Sequence, residues 1–203
     1  MIAIIDYGMG NLGSVLNMLR YIKADAIITN KQHEILNADK LIIPGVGAFK
    51  KGMEHLESND LIDILNEMAL INKIPILGIC LGMQLMTHFS EEGNVNGLGW
   101  FDANTVRFKF PESNSLKVPH MGWNVITPQK NSALLNALPD PAKFYFVHSY
   151  YIEKKAEVDV LATCNYGSDF VCALEKDNLY ATQFHPEKSH KYGMKLLQNF
   201  ASI

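Results

Sequence analysis

Short, continuously apolar segments alternate with helical patterns through the first half of the chain. The apolar segments are IAIID (2–6), DAIIT (25–29), DKLIIP (39–44) and KIPILGI (73–79). Between them, NLGSVLNMLRYI (11–22) and DLIDILNEMAL (60–70) place apolar residues at the spacing of an amphipathic helix. Strands that are apolar on both faces and are separated by helices are typical of a parallel sheet covered on both sides. The sequence therefore predicts an α/β fold with an open, mostly parallel central sheet flanked by helices.

The second half of the chain has a different pattern, with strand-like segments joined by short connections. These segments are FYFVHSYYI (144–152), DVLATCNY (159–166), FVCALE (170–175) and LYATQF (179–184). They predict an additional, partly antiparallel sheet. Two further segments, 81–89 and 192–203, have the spacing of helices. Because the chain shows no repeat, low-complexity tract or linker, we expect residues 1–203 to form one domain.

Composition and charge exclude several classes of function. The net charge is −3 and the basic residues do not cluster, so nucleic acid is not expected as a partner. The longest uncharged segment, 74–89, contains Pro75 and two glycines and is too short to span a bilayer. The N-terminus lacks a basic region before its apolar residues, which is unlike a secretory signal. Three cysteines without a C-x-x-C pair favour a reduced, cytoplasmic protein.

One of these cysteines, Cys80, lies between two glycines where a buried strand meets a helix. The sequence Gly78-Ile79-Cys80-Leu81-Gly82 is the thiol form of the turn that presents a nucleophile at the end of a strand. Side chains two positions before and after the nucleophile would clash in such a turn. The alternative is a small buried residue in the core, the usual state of a free cysteine. The flanking glycines favour the nucleophile.

A cysteine nucleophile needs a base, and His185 is the best candidate among seven histidines. It follows a predicted strand, and Glu187 comes two residues later. Pro186 favours an extended conformation at His185, so that the two side chains would point to the same side. A carboxylate in that position fixes the imidazole tautomer and stabilises its charge. A solvated loop and a metal site that includes His190 are alternatives, although the spacing matches no common zinc motif.

Two glycine-rich loops follow strands in the first half. PGVGAF (44–49) would bring a backbone N–H near Val46 and Gly47 to the cysteine, as a second oxyanion donor beside the N–H of Leu81. An ordinary turn explains this loop about equally well. GMGNLG (8–13) has the glycine spacing of a dinucleotide site, but the second strand ends in ITNK, without the acid that would bind a ribose. A tight turn is therefore favoured there, with nucleotide binding as the alternative.

Taken together, five motifs resemble those of class I glutamine amidotransferases. These motifs are PGVGAF, GICLGMQ, VPHMGWN, YFVHSY and QFHPEKS. The combination of PHMGWN with FVHSY is closer to the glutaminase subunits of imidazole glycerol phosphate synthase. The resemblance extends from the first strand to LLQNF near the end. It implies the class I glutamine amidotransferase fold and a Cys-His-Glu triad that hydrolyses glutamine through a thioester.

The resemblance also implies roles for individual residues. Cys80 would attack the amide, His185 would transfer protons and Glu187 would orient His185. The oxyanion hole would use the backbone of Leu81, Val46 and Gly47. The substrate would be held by Gln84, His148, Ser149 and Tyr150. A partner would be met by Pro119, His120, Met121, Gly122, Trp123, Asn124, Tyr145 and Lys188.

The partner that the resemblance implies is a separate (β/α)₈ cyclase subunit, which forms a heterodimer with the glutaminase. It uses the ammonia to make imidazole glycerol phosphate and aminoimidazole carboxamide ribotide in histidine biosynthesis. No cofactor or metal is implied. Three alternatives remain open: the same chemistry for a synthase that amidinates a surface-polysaccharide sugar nucleotide, a cysteine peptidase or γ-glutamyl hydrolase, and a binding module with an inactive site.

Overall fold

The structure is a computed structural model that describes residues 1–111, 116–154 and 159–203. Its first half alternates strands and helices. In chain order they are β1 (Ile2–Ile5), α1 (Leu12–Tyr21), β2 (Ala26–Thr29), α2 (Gln32–Leu36), β3 (Lys40–Gly45), α3 (Phe49–Ser58), α4 (Ile62–Asn66), β4 (Ile76–Cys80) and α5 (Leu81–Leu85). A π-helical turn (Glu67–Ile71) continues α4.

The second half is mainly strands. They are β5 (Thr87–Ser90), β6 (Val95–Asn96), β7 (Phe101–Arg107), β8 (His120–Pro128), β9 (Lys143–His148), β10 (Tyr150–Lys154), β11 (Val160–Tyr166), β12 (Ser168–Lys176) and β13 (Leu179–Thr182). A 3₁₀ turn (Pro186–Lys188) then leads into α6 (His190–Ser202). Within the described residues, no helix is both long and apolar enough to cross a membrane.

Five parallel strands, in the order β2-β1-β3-β4-β13, form the central sheet. The register pairs Cys80 with Gly45 of β3, and Ile79 with Thr182 of β13. The carboxyl ends of β3, β4 and β13 therefore meet at one edge. In open α/β sheets this edge is where ligands and reactive groups collect. The sheet thus brings the segments after residues 45, 80 and 182 together.

Strand β12 connects the parallel sheet to the antiparallel part of the fold. It pairs antiparallel with β13, with β10 and with β11, and β11 leads to β8 and β9. Strand β10 also pairs antiparallel with β7, and β7 pairs parallel with β5. The predicted α/β fold with an additional partly antiparallel sheet is confirmed.

Both faces of the central sheet are covered, as the apolar strands predict. In β1, Ile5 packs into one buried cluster together with Phe49 of α3, whereas its neighbour Ile4 packs into a second cluster with Leu19 of α1 and Phe200 of α6. Adjacent strand residues point to opposite faces. A strand buried on both sides therefore has to be apolar at consecutive positions.

The predicted helix over 81–89 is wrong in its second half, because α5 ends at Leu85 and Thr87 begins β5. The Thr87 hydroxyl donates to the Gln84 carbonyl at 2.8 Å. The carbonyls of Leu85 and Met86 bind N–H groups of residues 98–101 instead of the next helical turn. These contacts are distant in the sequence, and the apolar spacing alone does not reveal them.

The single strand predicted over 144–152 is two strands, β9 and β10, which Ser149 separates. They pair with different neighbours, β9 with β8 and β10 with β7, so that the chain must bend between them. The strand predicted over 179–184 ends at Thr182. Three strands, β6 to β8, and the helices α2 and α3 also have no predicted counterpart, because their apolar residues are interspersed with polar ones.

Candidate active site

Cys80 has a backbone conformation that side chains rarely adopt, with φ +55° and ψ −106°. It is the last residue of β4 and immediately precedes α5, so that the turn from strand to helix occurs at the cysteine itself. Strained backbone of this kind costs of order 1–3 kcal/mol and clusters at functional sites. The predicted sharp turn from strand to helix is therefore present, and its strain lies at Cys80.

The two flanking glycines are required by close backbone contacts. A Cβ atom at Gly82 would lie 1.7 Å from the carbonyl oxygen of Ile43 in β3. A Cβ atom at Gly78 would lie 2.9 Å from the carbonyl group of Gly82 and 2.8 Å from Sδ of Met86. Any larger residue would push the start of α5 away from the sheet. The predicted reason for the G-x-C-x-G spacing is confirmed.

His185 and Glu187 form a buried pair beside the cysteine. The distance from His185 Nδ1 to Glu187 Oε1 is 2.7 Å, and the two side chains are only 1% and 2% exposed. Because an ionised carboxylate can only accept, Nδ1 carries the proton that it receives. His185 Nε2 is buried without a hydrogen-bond partner among the described residues. The second nitrogen is thus the free one, as a general base requires.

The pKa of His185 reflects two opposing effects. Burial lowers it, but the interactions with Cys80 and with Glu187 outweigh burial and raise the pKa from 6.5 to about 10. The geometry shows no hydrogen bond of ordinary length between Nε2 and the sulfur, so we ascribe the effect of Cys80 to charge proximity. An imidazole in this setting takes up a proton readily.

Backbone contacts with β9 fix the position of His185. Its N–H donates to the carbonyl of Tyr145 at 2.9 Å, and the Ser189 hydroxyl donates to the His185 carbonyl at 2.6 Å. The same hydroxyl oxygen accepts from the N–H of Tyr145 at 3.0 Å. Strand β9 and the 3₁₀ turn therefore hold the histidine from both sides.

A cavity of about 300 Å³ opens over the cysteine. Its lining includes most residues of the predicted site, namely Val46, Gly47, Cys80, Leu81, Gln84, Pro119, His148, Ser149, Tyr150 and His185. The structure adds Glu92, which the sequence analysis missed. Glu92 Oε2 accepts from the N–H of Phe49, the first residue of α3, at 2.8 Å. In the sequence Glu92 is one acidic residue of a polar loop, and only the fold brings it into the cavity.

The predicted oxyanion donors line the same cavity as the sulfur. Leu81 is the first residue of α5, where N–H groups have no partner within the helix. Gly47 has φ +110°, and a Cβ atom there would lie 2.7 Å from the end of the Met9 side chain. The loop at Val46 and Gly47 therefore needs its glycine.

Polar side chains behind the cavity form hydrogen bonds that converge on Cys80. Gln183 donates from Nε2 to the sulfur at 3.7 Å. Gln84 donates from Nε2 to Gln183 Oε1 at 3.0 Å and to the carbonyl of Tyr150 at 3.2 Å. The amide oxygen of Gln84 makes no hydrogen bond among the described residues, so it is available to a ligand.

The residues predicted to meet a partner divide into two groups by exposure. Met121 and Trp123 are 61% and 46% exposed, and Trp123 pairs with Tyr145 across β8 and β9. Lys188 Nζ lies 5.9 Å from the ring centre of Tyr145. We call the surface of Met121, Trp123, Tyr145 and Lys188 the β8–β9 face.

His120 belongs to the other group. Its side chain is only 3% exposed, because alternate residues of β8 point to opposite faces, so it offers no surface to a partner. Asn124, on the same side of β8, is half-buried and donates to the carbonyl of Asn165 at 2.9 Å. Gly122, between them, is also half-buried.

The glycine loop at residues 8–13 is explained by packing. Gly8 and Gly10 have φ of +81° and +117°, and a Cβ atom at Gly10 would lie 3.1 Å from the carbonyl oxygen of Pro44. Close approach to the end of β3 therefore requires the glycine, which agrees with a tight turn. In the described parts of the chain, no three His, Cys, Asp or Glu side chains are grouped as metal ligands.

Comparison with known proteins identifies the family. The sequence model described as "Glutamine amidotransferase class-I" matches residues 3–203. The chain belongs to the class I glutamine amidotransferases. Among the relatives of this amidotransferase, one from Methanococcus maripaludis, named imidazole glycerol phosphate synthase subunit HisH 2, is 54% identical and covers 98% of both chains. A protein of the same name from Pseudomonas aeruginosa is 48% identical over the full length of both.

Solved structures agree on the fold of this amidotransferase. A protein from Thermoplasma acidophilum, described as a putative GMP synthase component, superimposes with a TM-score of 0.73 at 23% identity and covers 99% of this chain and 92% of its own. A structure described as a glutamine amidotransferase superimposes over the full length of both chains with a TM-score of 0.74 at 16% identity. At these identities the likeness supports the fold alone.

Proposed function

We propose that this chain is the glutaminase of an imidazole glycerol phosphate synthase. It hydrolyses glutamine to glutamate and ammonia with the triad Cys80, His185 and Glu187. The observation that carries the proposal is the strained Cys80 turn, which faces the buried His185–Glu187 pair across one cavity. The relatives named as synthase subunits support the choice of substrate and pathway.

In the first half of the reaction, His185 Nε2 takes the proton of the Cys80 thiol as the sulfur attacks the amide carbon of glutamine. The carbonyl oxygen becomes an oxyanion, which the backbone N–H of Leu81 and the Val46–Gly47 peptide stabilise. The intermediate collapses when the C–N bond breaks. His185 returns its proton to the departing nitrogen, so that ammonia leaves and a glutamyl thioester remains.

In the second half, a water molecule attacks the thioester carbon and His185 takes one of its protons. The C–S bond breaks, and His185 returns the proton to the sulfur. Glutamate leaves and the free thiol is restored. Glu187 stays ionised and keeps Nδ1 protonated throughout, so that Nε2 is always the nitrogen that exchanges the proton.

We assign recognition of the glutamine ammonium group to two acceptors in the cavity. Glu92 brings a carboxylate that the start of α3 holds in place, and Gln84 brings an amide oxygen that no protein group uses among the described residues. Hydrogen-bond acceptors from Glu92 and Gln84 suit the ammonium group of a free amino acid. An internal peptide residue has no ammonium, which disfavours a peptidase. His148, Ser149 and Tyr150 complete the wall and bind the head group of the substrate.

The ammonia acceptor is a separate (β/α)₈ cyclase subunit, and we assign its docking to the β8–β9 face. Ammonia that escapes into water is protonated and lost, so a glutaminase has to dock on its synthase. Exposed aromatic residues and methionine are enriched at the centres of protein interfaces. Pro119, next to β8, lines the cavity itself and places this face at its mouth. We expect a heterodimer in the cytoplasm, with the chain as one domain.

The alternatives find less support. The relatives are named as subunits of imidazole glycerol phosphate synthase. These names do not favour the alternative of a synthase that amidinates a sugar nucleotide. An inactive binding module is disfavoured, because Cys80 and His185 line one cavity and Glu187 contacts His185.

The test is glutamate production with the chain alone, with the cyclase subunit from the same genome, and with the cyclase plus its ribotide ligand. We expect strong stimulation in the third mixture and none with Cys80→Ala. Stimulation that persists in Cys80→Ala would refute the nucleophile. A folded wild-type chain that the cyclase does not stimulate would refute the partner.

A further inference from the structure

We propose that His120 is a positioning residue for glutamine, which acts through His148 on the orientation of Gln84. The inference rests on the proposed function of the cavity. The sequence motif placed His120 at a partner surface, but its ring is buried behind the cavity wall. The structure therefore leaves this histidine without the role that the motif predicted.

The two histidines lie directly opposite each other on β8 and β9. His120 Nδ1 and His148 Nε2 are 3.0 Å apart, and His148 Nδ1 lies 2.7 Å from the carbonyl oxygen of Tyr150. A carbonyl only accepts, so His148 must carry its proton on Nδ1. Its Nε2 is then an acceptor, and His120 must donate to it from Nδ1. The carbonyl of Tyr150 and the N–H of His120 thus favour the same tautomer of His148 from its two ring nitrogens.

Both rings are neutral in this arrangement. Burial lowers the pKa of His120 to about 4 and that of His148 to about 3. Neutral imidazole exists as two tautomers, and a ring without a fixed neighbour can exchange between them. The N–H of His120 favours the one tautomer of His148 that donates to Tyr150.

The same carbonyl of Tyr150 accepts from Gln84 Nε2. An acceptor at this point directs the NH₂ group of Gln84 away from the cavity and leaves its amide oxygen for the ligand. If His148 changed tautomer, its unprotonated Nδ1 would face the carbonyl oxygen and the two would repel. Tyr150 or His148 would have to move, and the orientation of Gln84 would then depend on its hydrogen bond to Gln183 Oε1 alone.

Rings on both sides hold His120 in position. Its ring centre is 4.1 Å from that of Tyr166 and 4.8 Å from that of Phe146, in both cases with the planes nearly parallel. Asn124 Nδ2 lies 3.4 Å from His120 Nε2, which is the acceptor nitrogen. The ring thus contributes both packing and a directed N–H, and two substitutions can separate these contributions.

His120→Phe keeps an aromatic ring between Phe146 and Tyr166 but removes the N–H. His120→Asn removes the ring but can place an amide N–H near the position of Nδ1. A purely structural role predicts that Asn is the more damaging change in every assay. A positioning role predicts opposite orders: Asn lowers the melting temperature more, whereas Phe raises KM for glutamine more.

The kinetic experiment measures glutamine hydrolysis by the complex with the cyclase and its ligand. We expect His120→Phe to raise KM about 3- to 10-fold, the worth of one hydrogen bond, with kcat within about twofold of wild type. We expect His120→Asn to keep KM within about twofold. An unchanged KM in the Phe variant, or a larger rise in the Asn variant, would overturn the proposal.

A second readout does not depend on turnover. Long-range ¹H–¹⁵N NMR of the imidazoles in the isolated chain at pH 7 reports the tautomer of His148. We expect the Nδ1–H form in the wild type and in His120→Asn, and a mixture of forms in His120→Phe. A single Nδ1–H form in all three would overturn the proposal. If the wild type fails to hydrolyse glutamine, the proposed function fails, while the NMR result still decides the role of His120.

Discussion

Replacing Gly82 by alanine tests the architecture of the nucleophile turn. The new Cβ atom would lie 1.7 Å from the carbonyl oxygen of Ile43, whereas real Cβ contacts are not shorter than 3.0 Å. The two atoms must therefore separate by about 1.3 Å. Neither side yields easily, because β3 is an inner strand that pairs with both β1 and β4.

We expect Gly82→Ala to lower both the stability of the protein and the rate of the reaction. Overpacking lowers the free energy of unfolding by about 1–3 kcal/mol, and occasionally by more. If α5 moves instead, Cys80 moves with it, and a displacement of about 1 Å can reduce the rate of the reaction by about 10². We therefore expect Gly82→Ala to be less stable than the wild type and at least about a hundredfold slower.

Gly13 in α1 gives a matched control. A Cβ atom at this position would meet nothing within 4 Å, and the residue is exposed. In a helix, alanine is favoured over glycine by about 0.5–1 kcal/mol, so Gly13→Ala should be slightly more stable with unchanged activity. Urea unfolding and glutamine hydrolysis are measured for both variants. A Gly82→Ala protein as stable and active as Gly13→Ala would refute the reasoning.

Three further substitutions test the rest of the site. Glu187→Gln lowers the pKa of His185, and kcat for glutamine should fall at least about a hundredfold. Cys80 and Glu187 together raise the folded pKa of His185 from 6.5 to about 10, so the stability that the charged imidazole contributes is full below pH 6.5 and is lost as the pH rises through about 10. The difference in urea stability between wild type and Glu187→Gln should therefore become smaller at high pH. Tyr7 is fully buried and its hydroxyl has no hydrogen-bond partner among the described residues. Tyr7→Phe should therefore raise the free energy of unfolding by about 1 kcal/mol. A loss of stability would show that the hydroxyl is hydrogen-bonded. Glu92→Gln removes the negative charge that faces the glutamine ammonium group, so KM for glutamine should rise at least about tenfold, with a smaller change in kcat. An unchanged KM would exclude a contact between Glu92 and the ammonium group.

The sequence predicts the parts of the fold that rest on local patterns. Apolar strands such as 2–5 and 76–80 stand out because both of their faces are buried, and G-x-C-x-G stands out because its glycines meet backbone. The amphipathic strand β8 was instead recognised only as a family motif. Because alternate residues of β8 point to opposite faces of the strand, Trp123 is exposed and His120 is buried.

Residues whose role depends on tertiary contacts were not predictable. Glu92 enters the cavity because β5 and the loop after it fold back towards the start of α3, and no local pattern indicates this. Gln183 is the second residue before His185 and looks like part of the preceding strand. Its hydrogen bond to Cys80 depends on the pairing of β13 with β4.

The most direct test of the account is to trap the thioester. The complex with the cyclase and its ligand is mixed with isotopically labelled glutamine, quenched in acid within the first turnovers, digested and mapped by mass spectrometry. We predict a labelled glutamyl group on the peptide that carries Cys80, and none in Cys80→Ala. Glutamate formation without any labelled peptide, or a label on Cys164 or Cys172 instead, would contradict the central claim that Cys80 attacks the amide of glutamine.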